Sequence, residues 1–154
     1  MAFPNVIPTY KSSLVQNSVK TVDSDWLAGF TSGEGCFYIK IVKSNTKLGE
    51  AVSLTFQLTQ DLRDESIIRS IASHLDCGKI YKNRGSIYLD ITKLSDLTGK
   101  VIPGLKKHPI MGKKILDFED FCKVAELMQN KAHLTQSGLE EIRKIKAGMN
   151  TGRR

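Results

Sequence analysis

Three cysteines, Cys36, Cys77 and Cys122, are too few, too far apart and odd in number to build a disulfide framework. They read instead as reduced thiols of an intracellular protein. No Cys-x-x-Cys occurs, and His74, His108 and His133 lack ligand-like spacing, which argues against a zinc site. No apolar run is long enough to cross a bilayer, so no membrane partner is expected. The N-terminus lacks the charged start and apolar stretch of a secretory signal. Walker loops, Gly-x-Ser-x-Gly and dinucleotide fingerprints are all missing, so no small-molecule cofactor is expected.

Basic charge is in excess. The chain of 154 residues carries a net charge of +7, with a sequence pI of about 9.4. Such an excess favours polyanions, above all nucleic acid, through phosphate neutralisation and counterion release. With 40% hydrophobic and 25% charged residues, the composition is that of one ordinary domain with a real core.

The organising stretch is Asp25-Trp26-Leu27-Ala28-Gly29-Phe30-Thr31-Ser32-Gly33-Glu34-Gly35. At ~100° per residue, Trp26, Leu27, Phe30 and Thr31 fall on one side of a helix over 24–33. Ala28, Gly29, Ser32 and Gly33 fall on the other. The bulky side is expected to anchor in its own domain and the small side to admit a like helix. Ser24 is the expected N-cap. Glu34 ends the run, where terminal carbonyls make an acid costly unless a cation sits beside it. Oxygen ligands of this kind suit Mg²⁺ or Ca²⁺.

Two alternating segments follow, with Phe37, Ile39 and Ile41 against Cys36, Tyr38, Lys40 and Val42, then Val52, Leu54, Phe56 and Leu58 against Ser53, Thr55, Gln57 and Thr59. A helix over 64–75 comes next, ended by Gly78. A second hairpin turns at Asn83-Arg84-Gly85, with Ile80, Ile87, Leu89 and Ile91 inward and Lys79, Tyr81 and Tyr88 outward. A short helix over 93–102 is stopped by Pro103, Pro109 opens a long helix to about residue 130, and a last helix starts near Thr135. Lys106-Lys107-His108 and Lys113-Lys114 are placed at the start of the long helix, where cations gain nothing from its dipole. The plan is α+β: a four-stranded antiparallel sheet with helices on one face. The other face is polar and basic, fit for a DNA major groove. Tyr38, Lys40, Ser53, Thr55, Gln57, Tyr81, Lys82, Arg84 and Tyr88 are the expected DNA contacts. Residues 1–22 read as an arm or linker, 23–148 as the domain and 149–154 as a basic tail.

Leu27 to Gly35, followed by Cys36-Phe37, resembles the motif of the LAGLIDADG homing endonucleases in its Gly-Glu-Gly variant. The family's αββαββα order, a sheet saddle with helices on one face, is similar to the plan over most of the chain. The resemblance implies a homing endonuclease that hydrolyses double-stranded DNA with Mg²⁺, Ca²⁺ occupying the site without supporting cleavage. It implies Glu34 as metal acid and the Gly33 carbonyl as accessory ligand. Phe56-Gln57-Leu58-Thr59-Gln60 resembles the family's second-strand ending, so Gln60 falls on a residue that orients water. Pro109-Ile110-Met111-Gly112-Lys113-Lys114 with Asp117-Phe118 resembles another family segment, and Lys114 falls on a lysine of the active-site solvent network. Ser32 replaces the earlier acid of the motif, which is not the metal ligand.

The motif occurs once. In this family one copy implies a homodimer, through Ala28, Gly29, Ser32 and Gly33, and a long, roughly palindromic target. The chain is most similar to the C-terminal repeat of two-copy members, so a half of such an enzyme stays open. Two further readings stay open as well: an RNA maturase that assists intron splicing, and a non-catalytic DNA-binding half-domain. The resemblance also implies intron encoding and an organellar, often mitochondrial, location.

Overall fold

The computed structural model describes residues 23–149. The expected arm over 1–22 and all but the first residue of the expected tail lie outside them. Helix α1 (Ser24–Glu34) runs without a loop into strand β1 (Gly35–Lys43), which pairs with β2 (Glu50–Asp61). A 3-10 turn (Leu62–Asp64) leads to α2 (Glu65–Leu75), then β3 (Lys79–Asn83) and β4 (Ser86–Ile91). A short turn α3 (Leu94–Asp96), a π-helical turn (Leu97–Val101) and α4 (Ile102–Lys107) follow, and then α5 (Lys114–Gln129) and α6 (Gln136–Ala147). The four strands form one antiparallel sheet in the order β1-β2-β4-β3.

The alternation expected of the strands is what sorts the sheet's faces. Phe37, Ile39, Leu54, Phe56, Leu58, Ile87, Leu89 and Ile91 are buried in one core. The helices complete it with Leu27 and Ala28, Ile68 and Ile71, Leu97 and Val101, Ile102 and Leu105, Phe118, Phe121, Val124 and Ala125, and Ile142. Phe37 is its hub, with ring centroids 5.3 Å from Phe56, 5.5 Å from Phe118 and 5.1 Å from Phe121. Each such ring pair contributes ~0.5–1.5 kcal/mol beyond its burial. The helices thus lie on one sheet face, as the sequence pattern requires.

Several local expectations are corrected. The N-cap of α1 is Asp23, not Ser24, and its carboxylate accepts from the Trp26 N–H at 2.8 Å. Helix α2 turns left-handed at Asp76 (φ 53°) before Gly78 (φ 98°). Pro103 does not stop the helix. The turn before it widens to π, with the Ile102 N–H donating to the Leu97 carbonyl, and Pro103 falls in the first turn of α4, where its missing N–H costs little. Pro109 does not open the long helix either. Ile110 is buried, Gly112 takes φ 79°, and the Met111 N–H donates to Ser32 Oγ at 2.9 Å, so this backbone bonds to α1 instead of a helical ladder. Lys106 and Lys107 consequently lie in the last turn of α4, where the dipole favours cations. Met149, expected in the tail, is 5% exposed and packs in the core. Thr135 caps α6 as expected, accepting from the Gly138 N–H at 3.1 Å.

The direct join of α1 to β1 rests on Gly35. A Cβ there would sit 2.7 Å from Thr31 Cγ2 and 2.9 Å from the Thr31 carbonyl oxygen. At Gly29 a Cβ would meet nothing within 4 Å. Gly35→Ala is therefore expected to lower stability by ~1–3 kcal/mol through overpacking. Gly104→Ala, in α4 where a Cβ also meets nothing within 4 Å, should raise it by up to ~1 kcal/mol through helix propensity. Urea unfolding of both variants checks the pair, and equal midpoints would contradict the close approach at Gly35.

Candidate active site and nucleic-acid interface

Glu34 is the last residue of α1 and is exposed, while its neighbour Gly35 is buried at the start of β1. The Gly33 carbonyl points out of the same helix end, and Lys114 Nζ donates to it at 2.9 Å. Lys114 begins α5, so the Pro109–Lys113 connection is what brings the ammonium to α1. The cation that a terminal acid calls for is thus supplied, at least in part, by the protein itself. Gly35 pairs with Leu58 in the sheet. Gln60 stands two residues further along β2, at the same end, half-buried and with Oε1 accepting from the Asp61 N–H at 3.0 Å. Its amide nitrogen is left to donate elsewhere. Among the described residues no three His, Cys, Asp or Glu side chains gather into a ready metal cage. One carboxylate and one carbonyl are oxygen donors suited to Mg²⁺ or Ca²⁺, but they fill only part of either ion's shell. The rest falls to water, phosphate or a second chain.

The free side of α1 differs from the expected one. Ala28 is 4% exposed and faces the chain's own core, so it is not available to a second helix. Ser32 is half-buried, its hydroxyl donating to the Ala28 carbonyl at 2.9 Å while accepting from Met111. Trp26, expected to anchor inside, is 41% exposed and stacks on Phe30 at 5.2 Å. The free stripe is Trp26, Gly29, Phe30 and Gly33, at spacing i, i+3, i+4, i+7. Cβ atoms at Gly29 and Gly33 would meet nothing within 4 Å. Leu27 and Thr31 are buried as expected. Asp25 flanks the stripe and holds His108, Nδ1 to Oδ1 at 2.5 Å.

On the helix-free sheet face, register aligns the side chains in rows. Lys40 lies opposite Ser53 and Tyr38 opposite Thr55. Cys36, Gln57, Asp90 and Lys79 make a row across all four strands. Thr59, Tyr88 and Tyr81 make the next, the two tyrosine rings stacked at 4.9 Å and 9°. The Tyr38 hydroxyl is pushed up to about 12 by its hydrogen bond with Cys36 and then by burial, so it stays a protonated donor at neutral pH. Arg84 caps the β3–β4 turn with φ 50°, beside Gly85 at 81°, which is the two-residue hairpin geometry that needs both φ positive.

Two expected contacts are corrected. Thr55 is on the open face but only 6% exposed. Lys82 shares its strand face with Ile80 and is turned to the helices, 3.3 Å from Glu65 on α2. Glu65 in turn is held below its ordinary value, first by its hydrogen bond from Arg69. The alternation along β3 already gave Lys82 and Ile80 one face, so this placement was readable. Asp90 was the converse: outward by alternation, it drew no role from the sequence. Only register reveals that it lies opposite Gln57, whose Nε2 donates to it at 2.9 Å.

A sequence model described as LAGLIDADG endonuclease matches residues 27–125. Probable intron-encoded endonuclease 3 of Neurospora crassa is 37% identical over 123 residues, covering 79% of this chain and 23% of its own length. Probable intron-encoded endonuclease Cox1-I1b of Schizosaccharomyces pombe is 36% identical over 127 residues, covering 78% and 32%. The I-SmaMI LAGLIDADG homing endonuclease bound to cleaved DNA superposes with a TM-score of 0.85 at 43% identity, over 96% of this chain and 48% of that one. I-SmaMI bound to an uncleaved DNA target in the presence of calcium ions gives 0.83 at 42% identity, over 98% and 52%. The chain therefore spans about half of those structures and a third or less of the two fungal relatives. With its motif on the helix that ends in Glu34, and the sheet and helices in the matching order, this chain belongs to the LAGLIDADG endonuclease family.

Proposed function

We propose that the chain is a homing endonuclease that pairs with a second copy through α1 and cuts both strands of a long, roughly palindromic DNA target. The observation that carries this reading is the grouping of Glu34, the Gly33 carbonyl and Lys114 at one helix end. The stripe of Trp26, Gly29, Phe30 and Gly33 is the pairing face, since two glycines without neighbours admit close backbone approach. Pairing brings two copies of Glu34 together and repeats the sheet face on either side of a two-fold axis, which is why the target is palindromic.

In each copy Glu34 and the Gly33 carbonyl would hold Mg²⁺, which would supply Lewis-acid polarisation of the phosphate and an acidified water. Lys114, held at the Gly33 carbonyl, would neutralise charge at the scissile phosphate. Gln60 uses its free amide nitrogen to orient water. Tyr38, Lys40, Ser53, Gln57, Tyr81 and Tyr88 face the major groove, with Arg84 at the hairpin tip. Ca²⁺ is expected to fill the site and support binding without cleavage, and the calcium complex of I-SmaMI with an uncleaved target is consistent with that. The relative named for a cox1 intron supports intron encoding and a mitochondrial setting.

Glu34→Gln is expected to lower cleavage of a library-selected duplex at least ~10³-fold, since several kcal/mol of metal-held charge stabilisation is lost. Its affinity for that duplex in Ca²⁺ should stay within a few-fold. An unchanged cleavage rate would refute the assignment. Lys114→Ala should slow cleavage on the order of 10²-fold while changing urea stability by no more than ~1.5 kcal/mol, the worth of one hydrogen bond. If stability falls and cleavage does not, Lys114 is only a tether between α5 and α1.

A further inference from the structure

At the centre of the open sheet face three side chains are joined through the amide nitrogen of Gln57. Gln57 Nε2 donates to Asp90 Oδ1 at 2.9 Å and to Tyr81 Oη at 3.1 Å. An amide nitrogen has two hydrogens, so both are used. A carboxylate only accepts, so Asp90 fixes the amide with nitrogen inward and Oε1 outward. Tyr81 Oη and Asp90 Oδ1 share the Gln57 nitrogen, and burial followed by the charge of Asp90 holds the Tyr81 hydroxyl above its ordinary value, so it stays protonated. Its oxygen accepts from Gln57, and the negative charge of Asp90 draws its hydrogen away from any base acceptor. What the three leave available is acceptors: Gln57 Oε1 and the second oxygen of Asp90. The stacked Tyr81–Tyr88 pair walls one side of this patch.

An acid at the middle of a DNA-facing surface is repelled by phosphate, so its favourable neighbour is a base edge. A free glutamine reads adenine bidentately, giving a donor to N7 and accepting from N6. Gln57 has no donor to give. Guanine and thymine present only acceptors at their major-groove polar atoms, and cytosine presents only the N4 donor. We propose that Gln57, Asp90 and Tyr81 act as one acceptor-only reading element that selects cytosine at one position of the DNA half-site, Asp90 being the residue that turns Gln57 from an adenine reader into a cytosine reader.

This rests on the DNA-binding function proposed above. The plain alternative is a cross-strand pair that only stabilises the sheet, as pairs of this kind do. Selection of duplexes from a randomised library by the full chain in Ca²⁺ separates the two. The wild type is expected to enrich cytosine at one half-site position. Asp90→Asn frees the amide of Gln57 to turn, and should lose about tenfold or more in preference for cytosine there, with adenine rising. Tyr81→Phe, which keeps the ring stack and removes the hydroxyl, should shift the same position in the same direction. Other positions should keep their profile. An unchanged profile in both variants overturns the inference, as does an equal loss of affinity for every sequence, which a purely structural pair would produce. A wild type that retains no duplex overturns the DNA-binding function itself, whereas one that retains duplexes without enriching cytosine overturns this inference alone.

Discussion

The site depends on a helix and a strand that share no loop. Glu34 closes α1 and Gly35 opens β1, and the strand starts directly against Thr31 because Gly35 has no side chain to hold it off. That contact buries Gly35 and throws Glu34 outward. It also fixes where β1 enters the sheet, and so which of its residues face the core. Phe37 lands among Phe56, Phe118 and Phe121, while Cys36, Tyr38 and Lys40 reach the open face. One missing Cβ therefore couples the acid at the helix end to the register of the open sheet face.

Energetics separate what holds the domain from what arms it. Each buried core side chain contributes ~1.5–3 kcal/mol by burial. The Lys114–Gly33 bond, on exposed groups, contributes ~0.5–1.5 kcal/mol, and a cation at a helix C-terminus ~0.3–1 kcal/mol. The polar links among α1, α4 and α5, made by Lys114, Met111 and His108, are therefore small in stability and large in placement. They leave the Trp26–Phe30 side of α1 without comparable ties, and that is the side carrying the unobstructed glycines.

The strands were legible because period-two alternation over Phe37–Val42, Val52–Thr59 and Ser86–Ile91 has one structural meaning. The family motif grouped Glu34 and Lys114 although they stand far apart in the chain, and the structure sets Lys114 beside the carbonyl preceding Glu34. The exposed side of α1 was not legible. Side-chain size alone points the wrong way here: Trp26 is outside, stacked on Phe30, and Ala28 is inside. Helix boundaries around Pro103 and Pro109 were misread for a related reason. Proline's local rule yielded to a π turn in one case, and to backbone bonds with α1 in the other. Asp90 was invisible because cross-strand register between β2 and β4 is set by the whole sheet, not by either segment.

The proposed cleavage needs two copies of Glu34 to meet, so the solution mass of the purified full chain, measured by light scattering after size exclusion, is the most direct test. Pairing through Trp26, Gly29, Phe30 and Gly33 predicts twice the 17.2 kDa of one chain, falling to one chain when Gly29 is replaced by arginine. A wild-type chain that stays at 17.2 kDa, alone and on DNA, would contradict the two-fold site.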